Sequence, residues 1–213
     1  MRKSPAFVFR HLSRGEIVPI VALAVDAAAR LRAFAYRRSF RAIGHDSRIG
    51  RPVMISGSEF ISIGSQTLIR AGCRLEAIAL PARPSPDLRI GSRVNIEQFV
   101  HIVCHNRITI GDDVSITGGC AIVDVTHPLD AVGKVGAQIA DDDRFVEIGA
   151  GAFLGYGTVV LPGVRIGEGA VIGANSVVSS DIPAHSVAAG VPARVLGNRD
   201  PNRSTDSGRV RGA

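Results

Sequence analysis

Tryptophan is absent from this chain, aromatic residues make up only 5% of it, and there are just two methionines. A core cannot be built around large rings here, so it must come from small aliphatic side chains, which disfavours a helical bundle. Cysteine is equally scarce. Cys73, Cys104 and Cys120 are odd in number and show no CxxC pairing, which argues against a disulfide framework or a structural zinc site and for buried free thiols in a reducing cytosol. No apolar run reaches the roughly 20 residues of a membrane-spanning helix. The stretch from Ile17 to Ala29 is too short, contains Asp26, and lacks a small-residue cleavage site after it.

Acidic residues are the minority among the charges, 19 against 25 Lys plus Arg, for a net charge of +6. A basic balance suits anionic partners such as a phosphorylated cofactor or an anionic lipid. Nucleic acid is not expected, because no binding motif appears and stacking residues are few.

Glycine is abundant, at 24 residues, and it falls in a pattern. Steps of six from Ile148 land on Leu154, Val160, Ile166, Ile172 and Val178, all aliphatic. Three places further on stand Gly151, Gly157, Gly163, Gly169, Asn175 and Asp181, types that tolerate positive φ. A period of six fits neither one helix nor an alternating strand. It fits a short strand plus a corner, with one inward plug per strand. Three such units close a triangular coil, and coils stack about 4.8 Å apart as parallel strands.

The frame continues upstream. Ile43, Ile49 and Ile55 form one coil, then Ile63, Ile69 and Leu75, then Ile90, Ile96 and Ile102, then Ile110, Ile116 and Ile122. The fold expected is all-β: a left-handed parallel β-helix of about six coils over residues 43–197. The frame is interrupted at Ser62, at residues 81–89, at Thr109 and at residues 128–147. Each interruption follows the third unit of a coil, so all should project from one ridge, where binding and chemistry concentrate. Residues 16–42 read as a helix, within a basic segment 1–42, that caps the first coil or lies on an anionic membrane. Residues 198–213 read as a disordered tail.

The repeats, together with Asp124-Val-Thr-His127-Pro-Leu-Asp130 and the ending Gly190-Val-Pro-Ala-Arg194, resemble the hexapeptide-repeat acyltransferases. Within that family they are similar to the maltose and galactoside O-acetyltransferases and to those of bacterial polysaccharide assembly. The resemblance implies a cytoplasmic homotrimer, positioned at the inner face of the membrane if its basic helix binds lipid. It also implies transfer of an acetyl group from acetyl-coenzyme A to a hydroxyl of a sugar or glycan precursor, without a metal.

His127 matches the family's general base, which takes the proton of a hydroxyl that is otherwise a poor nucleophile. Asp124 matches the acid that orients such an imidazole, although Val125 stands where some members carry a second His. His105 is the candidate for acceptor contact. Phe153, Gly155, Tyr156, Ala174, Ser179 and Arg194 match cofactor-binding positions, with Gly155 and Tyr156 near the thioester, where a backbone N–H at a Gly corner is the usual oxyanion donor, and the Arg194 fork suited to phosphate.

Three other functions remain open on this fold: an antibiotic O-acetyltransferase, a non-catalytic β-helix scaffold, and a γ-class carbonic anhydrase holding zinc through His101, His105 and His127. Serine is the less favoured acceptor, since the extended helical domain of serine acetyltransferases is missing.

Overall fold

A computed structural model describes residues 14–80, 84–125, 127 and 144–199. Among these residues an α-helix, α1 (Arg14–Tyr36), precedes a prism of short strands in three parallel faces. The plug residues stack in the registers the spacing predicts. On face A, Ile43 pairs with Ile63, Ile63 with Ile90, Ile90 with Ile110, Ile110 with Ile148 and Ile148 with Ile166. Face B stacks Ile49, Ile69, Ile96, Ile116, Leu154 and Ile172, and face C stacks Ile55, Leu75, Ile102, Ile122, Val160 and Val178. The result is a left-handed parallel β-helix of six coils.

The column of plugs is closed to water, apart from the partly exposed Ile43 and Ile55 in the first coil. Removing an aliphatic plug of this size from water contributes about 1.5–3 kcal/mol. Small side chains fill the space beside them. Thr67, Thr158 and Ser176 are buried, and each hydroxyl donates to a nearby carbonyl, on Gly91, Gly155 and Gly173 respectively. The corners use left-handed backbone at Gly151, Gly157, Gly163, Gly169 and Asn175, as the repeat implies. Asp181 does not join them; its carboxylate accepts the Arg165 N–H instead. One corner is costly. Phe99 carries φ 61°, rare for a bulky residue, and a Cβ on Gly72 would stand 2.6 Å from its ring. Gly72 is the space that ring occupies.

Every departure from the six-residue step lies between face C and face A. The two-residue insertions and the inner ends of the long ones are ordered differently from expectation, because they lengthen strands. Asp87–Ile90, Arg107–Ile110 and Phe145–Ile148 are four residues long, and the second pairs with the first on one side and the third on the other. Leu88, Ile108 and Val146 supply a second buried plug in each, so Thr109 and residues 87–89 belong to the ladder. Most of the expected loop 128–147 lies outside the described residues, as does the tail from residue 200.

The helix also ends earlier than expected. After Tyr36 the ring of Phe40 folds into the core and stacks on Tyr36 at 5.7 Å, and Ala42 already pairs with Ser62. α1 covers the open edge of the first coil: the Arg32 guanidinium donates to the Ile49 carbonyl at 2.7 Å, and Ala29 and Ala33 are buried beneath it. At the other end, Ser186–Gly190 continues face B, and Ala193–Asn198 folds back on it antiparallel.

Candidate active site

On face C, His101–Cys104 pairs with Ala121–Val123 so that Ala121 lies over His101 and Val123 over Val103. The chain then turns toward the ridge. Asp124 is fully buried there, and its two carboxylate oxygens accept the backbone N–H groups of His105 (2.7 Å) and Asn106 (2.9 Å). Burial pushes its carboxyl above the ordinary range, and the two N–H bonds pull it partly back. Cys104, beneath it, is buried as well. Burial and the Asp124 charge raise its thiol, so it is held as an inert thiol rather than a nucleophile. Cys73 and Cys120 are likewise free and buried.

His127 follows on the ridge and is exposed. It shares a cavity of about 400 Å³ with His105, His101, Arg74, Glu76 and Val125. A larger concavity, about 560 Å³, lies under α1, but it holds no histidine, whereas the smaller one gathers three imidazoles and an ion pair. Arg74 sits beneath His101 in register, and its Nη2 meets Glu76 Oε2 at 2.7 Å. Glu76 is 3% exposed. The His101 Nε2 atom is buried with no hydrogen-bond partner among the described residues, and burial followed by the Arg74 charge lowers its pKa.

His105 and His127 therefore line one cavity, and the Asp124 carboxylate beside it is engaged with the backbone N–H groups of His105 and Asn106. Arg74 and Glu76 are additions that the sequence reading missed, and His101, named there only as a zinc ligand of an alternative reading, joins them on the cavity wall. Their signal was present: they are the outward neighbours of the plugs Leu75 and Ile102 on the face that leads into the insertions. Among the described residues, no three His, Cys, Asp or Glu side chains converge closely enough to hold a metal ion.

The positions matched to cofactor binding fall elsewhere. Phe153 faces outward from face B between Ser115 and Val171. Gly155, Tyr156 and Ala174 lie at the edge between faces B and C, in the strand-to-strand corners of coils 5 and 6. Exposed Phe99 lies on the same edge, two coils before Tyr156. Arg194 is exposed at the end of face B, and its Nη1 donates to the Ala193 carbonyl at 3.0 Å. Ser179 alone is on the His127 ridge, two coils further along. Face C thus separates most of the cofactor candidates from His127 within one prism. The Gly155 N–H donates to the Ile172 carbonyl at 2.8 Å, so it is committed to the ladder and not free for an oxyanion. A Cβ there would stand 2.6 Å from Ala174 N, which explains the glycine by coil stacking alone.

Residues 145–180 match the family described as bacterial transferase hexapeptide (six repeats). WbbJ of Escherichia coli K12, named for O-acetyl transfer in lipopolysaccharide biosynthesis, is 32% identical over 152 residues, covering 68% of this chain and 75% of that one. Serine acetyltransferase 4 of Arabidopsis thaliana is 33% identical over 150 residues, which is 65% of this chain but only 39% of the plant protein. Among solved structures, AntD, an N-acyltransferase from Bacillus cereus, superposes with a TM-score of 0.68 at 21% identity, covering 78% of this chain and 88% of that one. With repeat, register and relatives in agreement, the chain belongs to the bacterial hexapeptide transferase family.

Proposed function

We propose that this protein transfers an acetyl group from acetyl-coenzyme A to a hydroxyl of a sugar or glycan precursor, with His127 as general base. The observation that carries the reading is the cavity on face C, where an exposed imidazole on the insertion ridge overlooks a polar floor of Arg74, Glu76, His101 and His105. WbbJ is named for lipopolysaccharide O-acetyl transfer, and AntD was solved with coenzyme A and dTDP and, in another mutant form, with coenzyme A and dTDP-4-amino-4,6-dideoxyglucose, which supports a thioester donor and a sugar-like acceptor here.

In this reading the His127 imidazole takes the proton of the acceptor hydroxyl as its oxygen attacks the thioester carbonyl. The tetrahedral intermediate collapses with cleavage of the carbon–sulfur bond, and the imidazolium returns the proton to the departing coenzyme A thiolate. The products are an acetyl ester and free coenzyme A. Asp124 acts as a positioning residue, fixing the corner from which His127 emerges. The Glu76 carboxylate accepts from acceptor hydroxyls, and the His101 imidazole accepts from them or donates to them. Arg74 is neutralised by Glu76, so the floor favours a neutral polyol over an anion.

The donor is held on the opposite border of face C. Phe153 and Tyr156 offer exposed rings to the pantetheine arm alongside Ala174, and Arg194 offers a fork to phosphate, while Ser179 stands apart on the His127 ridge. Because one prism separates these from His127, the working unit is a homotrimer in which the B–C edge of one copy meets the His127 ridge of the next.

The test is acetyl-coenzyme A consumption against a panel of free and nucleotide-linked sugars, aminoglycosides and L-serine, with products identified by mass spectrometry. An acetyl ester on a sugar supports the reading. Acetylation confined to an antibiotic or to serine replaces the acceptor, and no coenzyme A binding at all favours a non-catalytic scaffold.

A further inference from the structure

α1 is turned inside out for a helix packed on a soluble prism. Between Val21 and Tyr36 its charged residues are Asp26, Arg30 and Arg32, and all three are engaged toward the prism. Asp26 accepts from Arg48 at 2.9 Å, Arg30 bridges Asp26 at 2.8 Å and Asp46 at 3.8 Å, and Arg32 holds the Ile49 carbonyl. The outward side is apolar. Leu23, Ala27, Leu31 and Phe34 recur at helical spacing along one stripe, with Leu23 70%, Leu31 69% and Phe34 66% exposed. An isolated exposed leucine needs no explanation, but a continuous stripe of this kind marks an interaction surface.

The distribution of charge says what covers it. Residues 1–41 hold nine Lys and Arg against the two acids Glu16 and Asp26, a net of +7. The whole chain carries +6, so residues 42–213 carry −1. The protein's net positive charge thus comes entirely from residues 1–41, the part of the sequence that contains this helix. Arg37 and Arg38 follow its last turn, and exposed Arg38 meets no carboxylate among the described residues. Ahead of it in the sequence, Arg2, Lys3 and Arg10 flank Phe7, Val8 and Phe9, and Arg14 opens the helix. A second copy would bring the same charge against itself. Nucleic acid would satisfy the arginines but offer nothing to the leucine–phenylalanine stripe. A bilayer with anionic headgroups supplies both hydrocarbon and negative charge at the depth an interfacial helix occupies. Among the described residues no helix is long and apolar enough to cross a membrane.

We propose that α1 is an interfacial helix that docks the prism on an anionic lipid surface, with Leu23, Leu31 and Phe34 inserted and the flanking arginines on the headgroups. The proposal does not depend on acetyl transfer, because vesicle binding is read with no donor or acceptor present.

The experiment is co-sedimentation of the full chain with phosphatidylcholine vesicles containing about 30 mol % phosphatidylglycerol, set against phosphatidylcholine alone. The full chain is expected to bind the anionic vesicles and to release as salt is raised. Leu31→Glu with Phe34→Glu is expected to lower partitioning about tenfold or more, with the circular dichroism spectrum and the mass in light scattering unchanged. Arg37→Glu with Arg38→Glu provides an independent loss through charge. No binding to anionic vesicles, or equal binding by both double variants, overturns the proposal. A Leu31/Phe34 variant that falls to a smaller assembly also overturns it, by assigning the stripe to a second copy.

Discussion

The Asp124 carboxylate accepts the backbone N–H of His105 at 2.7 Å, from the coil beneath it. Because the other oxygen takes the Asn106 N–H at 2.9 Å, this one buried side chain ties the ends of two successive face C strands together just before His127. Asp124→Asn leaves an amide –NH2 facing one of those N–H donors. The expected cost is about 1–3 kcal/mol of stability, read by urea unfolding, with a loss of turnover and little change in coenzyme A affinity. An Asn variant with wild-type stability would remove Asp124 from its role in the corner.

Glu76 is the buried half of the Arg74 pair on the cavity floor. If it receives acceptor hydroxyls, Glu76→Gln should raise KM for the acceptor several-fold, with kcat and KM for acetyl-coenzyme A close to wild type. A change confined to the donor's KM would place Glu76 outside acceptor recognition.

Burial, then the Arg74 charge, holds the His101 pKa below its ordinary value. The unfolded chain therefore binds this proton first, and stability rises with pH across the gap. The His101 contribution is fully present above about pH 6.5, the ordinary imidazole value, and is lost as pH falls through the folded-state value. Unfolding midpoints measured from acid to neutral pH should fall less steeply toward acid in His101→Gln than in wild type. Parallel profiles for the two proteins would contradict this.

The separation of His127 from Tyr156 and Phe153 by face C makes a subunit-mixing test decisive for a shared site. His127→Ala alone and Tyr156→Asp alone should each be impaired. Co-refolded mixtures should regain a fraction of wild-type activity, because some assemblies pair an intact ridge with an intact edge. No recovery from a properly mixed assembly would place the whole site within one chain.

The fold was legible because each plug must be buried, and burial leaves a six-residue mark from Ile43 to Val178. The strand lengths were harder to read. Leu88, Ile108 and Val146 fall two residues before a plug, inside what reads as an insertion, and only pairing with the neighbouring coil shows them to be ladder. The end of the helix was misplaced because Phe40 joins the core after a run of arginines that scans as more helix. In the site, His127 and Asp124 stand in a recognisable segment, whereas Arg74, Glu76 and His101 are outward polar residues on short strands. Such residues are marked only as neighbours of the plugs, and register across coils is what stacks Arg74 beneath His101.

The most direct test of the account compares wild type with His127→Ala in acetyl-coenzyme A turnover, alongside calorimetric binding of coenzyme A. With His127 as the base, kcat falls by about 10²–10⁴ while the melting curve and coenzyme A affinity stay close to wild type. Near-full turnover in the alanine variant would contradict the mechanism.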